Sequence, residues 1–405
     1  MSIARRAPDL SAVRLSLEGA AGRIAGAGFA VGVLGVLASA ALAGGSWGRA
    51  LQAWLVNWVF FLSLTLGALF FVLLQHVTKA GWSVVVRRLA EGFAANFLLL
   101  AVLSLPILAG LPRVFEWARP EIVAHDHLLQ AKSAYLNPAA FVARMAGYFL
   151  IWIALSEWMF RSSVRQDASG DPGITSRLQT VSAPAMYLFA LTATFASFDL
   201  LMSLEPRWFS TIFGVYFFAG CALSCFALLP LVAFLLQRSG RLVGIVSVEH
   251  YHDMGKLMFA FVVFWSYIAF SQYMLIWYAN IPEETSWYLA RITGPWTGVS
   301  WFILLGHFLA PFLFLISRIP KRHPVVLVLG SVWLLLAHWA DLYWLAMPSI
   351  GDGIPARAPF HLLDATCFLA VGGFWVGAWA LRMRGRSLLA QRDPRLGESL
   401  AFENF

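Results

Sequence analysis

Ten apolar runs, interrupted by few charges, occupy most of this chain. They lie at about 24–43, 51–74, 93–111, 139–160, 180–202, 209–236, 257–279, 296–317, 325–347 and 361–381. At 1.5 Å of rise per residue, ~20 helical residues cross the ~30 Å hydrocarbon core of a bilayer. Lipid offers no hydrogen bonds to the backbone, so runs of this length are readily accommodated only as helices. The expected fold is therefore an all-α integral membrane protein, with ten transmembrane helices in a single membrane domain spanning 1–405. Composition agrees. Of the 405 residues, 60% are hydrophobic and 12% charged, against about a quarter charged in soluble domains.

The net charge of +8 points to nucleic acid only until its distribution is read. Assigning loops alternately, one side carries twenty-one of the 29 Lys and Arg and the other seven, with Arg144 inside a span. The positive-inside rule then puts both termini in the cytoplasm and removes nucleic acid as a partner. Ala41-Leu42-Ala43 resembles a signal-peptide cleavage site, but the long region before it favours a retained helix. Gly22-xxx-Gly26, Gly28-xxx-Gly32 and Gly373-xxx-Gly377 give the first and last spans the spacing that lets helix backbones approach closely. Trp47, Trp82, Trp117, Trp208, Trp277 and Trp287 are expected at the water–lipid boundaries. The one long connection, Pro112–Pro138, lies on the outer side. Its His125-Asp126-His127 would need further ligands to hold a metal, and a solvated loop facing partner proteins is preferred. Ser162–Arg177 reads as a turn-rich linker. Cys221, Cys225 and Cys367 form no C-x-x-C or C-x-x-C-H motif, so neither covalent haem nor an iron–sulfur cluster is expected in this chain.

The informative residues are ionisable groups where lipid should exclude them. His338 and Asp341 are three apart on the ninth span and share a helical face; His361 and Asp364 repeat the spacing on the tenth. The helical rise puts both carboxylates within ~10 Å of the outer boundary, and Asp199 has a similar depth. A second set lies towards the other face: His76, Glu157, and the knot His252, Asp253 and Lys256 that opens the seventh span. His307 sits near the middle of the eighth. Gln272 and Tyr267 interrupt the seventh span and are expected to face the bundle interior. Carboxyls and imidazoles stepped through a bundle suit a proton relay. The competing reading is buried ion pairs that fix helix packing, with Glu157–Arg161 an instance and Arg144 a partner for a carboxylate or for backbone carbonyls. A free-standing secondary transporter is a third possibility, which predicts helices broken by Gly or Pro at mid-span, with Pro184 and Pro230 as candidates.

Several longer runs carry a family resemblance. Tyr251-His252-Asp253-Met254-Gly255-Lys256-Leu257 is followed by Phe264-Trp265-Ser266-Tyr267-Ile268-Ala269-Phe270-Ser271-Gln272-Tyr273 and by Ile276-Trp277-Tyr278-Ala279-Asn280-Ile281-Pro282-Glu283-Glu284-Thr285. Together with Ser197-Phe198-Asp199-Leu200-Leu201-Met202-Ser203-Leu204-Glu205-Pro206-Arg207-Trp208-Phe209-Ser210-Thr211, the region from about Asn137 to Met347 resembles the smaller NrfD-like (polysulfide-reductase-like) membrane subunit of bacterial alternative complex III, ActF. The resemblance implies two four-helix bundles, spans two to five and six to nine, flanked by the first and last. It implies a cofactor-free subunit of a quinol:cytochrome c or quinol:oxidase oxidoreductase in the bacterial inner membrane, proposed to conduct protons through half-channels. The implied partners are a larger NrfD-like paralogue that holds the quinol, an outer-face iron–sulfur protein, c-type cytochrome subunits carrying haem c, a terminal oxidase, and lipids. A structural anchor for such redox subunits is the alternative.

Overall fold

A computed structural model describes residues 10, 13–45, 47–349 and 360–404. No strand occurs among them, only two isolated bridges. Ten helices are long and apolar enough to cross a membrane: α1 (Ala21–Ala43), α2 (Trp47–Val77), α3 (Val84–Ala109), α4 (Pro138–Ser169), α5 (Pro172–Leu204), α6 (Phe213–Arg238), α7 (Val248–Ala279), α8 (Gly294–Ile316), α9 (Pro324–Ser349) and α10 (Leu362–Arg382). The chain is an all-α, multi-pass membrane protein.

Neighbour relations close two rings. Helix α2 packs on α3 and α5, and α4 bridges α3 and α5; α6 packs on α7 and α9, and α8 bridges α7 and α9. Helices α2 and α6 join the rings, meeting where a Cβ on Gly67 would overlap the Cys221 carbonyl. Helix α2 is the hub: its apolar core is wholly buried, shielded by α3, α5, α6, α9 and α10. Helix α1, mostly lipid-facing, packs chiefly on α10. Here the glycine spacing has its use. A Cβ on Gly373 would lie 2.5 Å from Gly32 N and 2.6 Å from Gly28 O, so the backbones touch as the small-residue spacing allows.

The termini lie on one face and are stitched together there. Arg14 bridges to Arg241 and Ser16 to Ser387, with Leu242 N donating to Arg14 O and Leu388 N to Leu15 O. Beyond α10 the chain folds back under the bundle and buries Leu388, Leu389 and Ala390. Buried Arg87 pairs with Glu91 and Asp393, while Arg88 pairs with Glu91 and Asp167.

Three expectations need correction. The stretch Ser162–Arg177 is not a turn-rich linker. Helix α4 runs to Ser169, Gly170 closes it at φ 67°, and Asp171 caps α5 with Pro172 in its first turn. Charged and polar residues end the apolar run, but the helix continues until Gly and Pro stop it. The polar knot that opens the seventh span forms the first turns of α7. Tyr267 faces outward at 65% exposed, whereas Gln272 is buried between Ser210 and Tyr288. Trp117, Trp208 and Trp287 are buried rather than belted; Trp208 stacks on Trp287 with ring centroids 4.4 Å apart.

Candidate functional site: a buried carboxyl and imidazole cluster

Helix α8 supplies the irregular backbone. Pro311 has no N–H, and its ring crowds the carbonyl four residues back, that of His307. The turn widens into a π-helical segment over Ile303–Leu309, a deviation often found at functional sites. Within it, the Gly306 carbonyl accepts from Trp333 Nε1 at 2.6 Å. His307 is fully buried, its ring 4.0 Å from Trp265 and 6.2 Å from His338. Neither of its ring nitrogens has a hydrogen-bond partner.

His338 lies against Gly220 of α6, where a Cβ would come within 2.7 Å of its ring. Its Nε2 is 2.8 Å from Ser63 Oγ, and that hydroxyl donates to Phe60 O at 2.7 Å. The single hydroxyl proton is thereby used, so Nε2–H is the donor to Ser63 and Nδ1 is an unprotonated acceptor without a partner. One turn on, Asp341 accepts from Tyr216 OH at 2.5 Å. Trp265, beside both Tyr216 and His307, keeps an unpaired buried indole N–H. Asp341, His338 and His307 thus lead from the C-terminal part of α9 to the middle of α8 with open hydrogen-bonding positions along the way.

The other deep carboxylates are neutralised. Asp199 receives Arg144 through Nη2 at 2.8 Å and Nε at 2.9 Å, and Tyr148 OH at 2.7 Å; Arg144 also donates to Tyr135 O and stacks on that ring. Asp364 receives Arg49 at 2.6 Å, Tyr343 OH at 3.1 Å and the His361 N–H at 2.8 Å. His361 itself is an exposed N-cap, accepting from Leu363 N at 3.1 Å. It stands at the helix end, outside the cluster. Asp341 has no Lys or Arg within ion-pair distance among the described residues.

The set near the termini is separate. Glu157 lies between Arg161 at 2.9 Å and Arg382 at 2.6 Å. Asp253 pairs with Lys256, which also reaches Asn404, and Glu249 pairs with Arg322. His252 Nδ1 and His76 Nε2 are buried without partners. On α2, Ser63 and Gln75 are twelve residues apart, ~18 Å along a helix. The intervening layer is aromatic: Phe70, Phe189, Phe218, Phe226 and Phe261 pack ring against ring. The two sets are thus divided by an apolar septum.

Two buried side chains not singled out as site residues make contacts that tie distant segments together. His250, next to the knot residues, closes a capping box: Nδ1 accepts from Ser247 N at 3.0 Å, so Nε2–H donates to Ser399 O at 3.0 Å. Arg291 was counted as an outer-loop charge. It is fully buried over the Trp287 ring at 3.5 Å and donates to Trp344 O, Leu345 O and Trp287 O. Those first two carbonyls belong to the end of α9, where a cation is favourable. Burial pulls its guanidinium down to about 9, opposed by Glu205. The four-residue spacing of Trp287 and Arg291 was the available signal.

Among the described residues, no three His, Cys, Asp or Glu side chains converge as metal ligands. Asp126 of the His125-Asp126-His127 run instead caps a short helix and pairs with Arg207. No protein-family model matches the chain, and no curated protein matches it in sequence.

Proposed function

We propose that this protein is a cofactor-free integral subunit of a bacterial quinol-oxidising respiratory complex of the alternative complex III type, and that Asp341, His338 and His307 form the outer half of a proton path. The reading places it in the bacterial inner membrane with both termini cytoplasmic. Its companions would be a larger NrfD-like paralogue that binds the quinol, an outer-face iron–sulfur protein, c-type cytochromes carrying haem c, and a terminal oxidase. The observation that carries the proton role is Asp341: a buried carboxyl without a cation can exchange a proton without breaking an ion pair, and imidazoles with open nitrogens lie next to it. His252 and Asp253 with Lys256 would serve the opposite face, and the aromatic septum would have to be crossed by water or by rearrangement.

The structural-anchor reading draws support from Asp199 and Asp364, each closed by an arginine. The transporter reading gains nothing from Pro184 and Pro230, which lie inside α5 and α6 without interrupting them. The test uses the assembled complex purified from its native membrane and reconstituted in vesicles. Asp341→Asn should abolish proton movement coupled to quinol oxidation. Unchanged coupling in that variant would leave the anchor reading in place.

A further inference from the structure

A second site lies on the face that carries both termini, remote from the buried cluster. Three segments far apart in sequence meet there: 13–18 ahead of α1, the α6–α7 connection at Arg241, and 385–391 beyond α10. Together they enclose a cavity of about 560 Å³, within the range of small-ligand sites. Each segment contributes one arginine: Arg14, Arg241 and Arg386.

We propose that this cavity binds a phosphate group, that of an anionic phospholipid headgroup. Among the described residues no carboxylate lies within ion-pair distance of any of the three guanidinium groups. Their protein contacts leave N–H groups over: Arg241 uses Nε on Ser16 O and Nη1 on Ser239, and Arg386 uses Nη1 on Arg382 O. The Arg14 side chain is exposed and has no hydrogen-bond partner among the described residues. Planar guanidinium forks suit phosphate oxygens. The surroundings add positive potential. The guanidinium of Arg386 lies over the Phe160 ring at 4.9 Å. Burial first, then Arg382, Arg88 and Arg161, pull it below its ordinary value, with Glu157 opposing. Arg161 and Arg382 share that single Glu157 carboxylate, and Asp167, which accepts from Gln391 N, is paired with Arg88. Among the described lining residues, Glu18 is the one acidic side chain. Leu10, Val13 and Leu15 give the cavity an apolar side, suited to the glycerol and acyl part of a lipid. Basic pockets at helix ends commonly recognise such headgroups.

The test is native mass spectrometry of the full-length protein in detergent. It is titrated with phosphatidylglycerol, phosphatidylcholine or inorganic phosphate, and thermal unfolding is followed in parallel. Phosphatidylglycerol should bind in preference to phosphatidylcholine. Arg14→Gln should weaken it about fivefold and Arg14→Gln/Arg386→Gln about twenty-fivefold, from roughly one charge contact per arginine. The Arg14 side chain makes no hydrogen bond or ion pair among the described residues, its backbone contacts with Arg241 and Leu242 being kept by the substitution, so the single variant reports on binding even if the double variant is unstable. Phosphate protection of the wild type that is lost in Arg14→Gln would assign the site to a free anion and keep its phosphate chemistry. Equal binding of the two lipids with no phosphate effect would overturn the proposal, as would a phosphatidylglycerol preference that survives Arg14→Gln.

Discussion

Tyr216 on α6 donates its phenolic proton to Asp341 on α9 at 2.5 Å, joining two buried side chains across the second bundle. An asparagine at 341 would keep an oxygen to accept that bond while losing the exchangeable proton. Asp341→Asn should therefore unfold within a few degrees of the wild type while coupled proton movement falls at least tenfold. Thermal unfolding and vesicle acidification measured on one preparation separate the two effects.

Asp199→Asn should behave in the opposite way. It leaves Arg144 half buried beside Tyr148 without its carboxylate. Breaking a buried pair from one side costs about 3 kcal/mol or more. A marked loss of thermal stability is expected, and Arg144→Met/Asp199→Leu should recover part of it. A stable single variant would show that the pair does not hold α4 to α5.

Gly373→Val tests the contact of α1 with α10. The added side chain would overlap the backbone of Gly28 and Gly32, and overpacking costs about 1–3 kcal/mol. Cysteine cross-linking between the two helices should fall sharply, while Gly22→Val, with open space around it, should leave cross-linking unchanged.

Glu205, just beyond the C-terminal end of α5, gives a pH signature. Burial first and Glu116 second raise its carboxyl above the ordinary 4.5, against Arg207 and Arg291. A raised folded-state value means the folded protein holds that proton more tightly than the unfolded chain does. The stability it contributes is complete below 4.5 and is lost as pH rises through the folded value. Glu205→Gln mimics the protonated form. It should unfold at a higher temperature than wild type near neutral pH, and the gain should vanish below 4.5.

His250→Ala should free the C-terminal segment. It removes the imidazole half of the capping box, the acceptor of the Ser247 N–H, together with the bond to Ser399 O. Limited trypsin digestion should then cut at Arg392 and Arg395 faster than in wild type, with α7 itself intact.

The ten crossings were legible because lipid imposes one simple demand, a long run without charge, and each run satisfied it locally. The shared face of His338 and Asp341 was legible for the same reason: three residues fix an angle on a helix. Which carboxylate keeps a cation was not legible. Arg49 reaches Asp364 across 315 positions and Arg144 reaches Asp199 across 55, and no local pattern encodes such pairings. A proline does not by itself mark a π segment: α5 and α6 absorb Pro184 and Pro230, whereas α8 widens ahead of Pro311. The spacing of His361 and Asp364 copies that of His338 and Asp341, but His361 begins a helix where His338 stands well inside one.

The complete shielding of α2 bears on how the protein is made. This helix is synthesised well before α10, one of the walls that covers it. Until α10 emerges, the hub must wait in lipid or against a chaperone with Asn57, Ser63 and Thr65 short of their lasting neighbours. A chain that stops early would keep that surface open and present a membrane protease with an obvious fault.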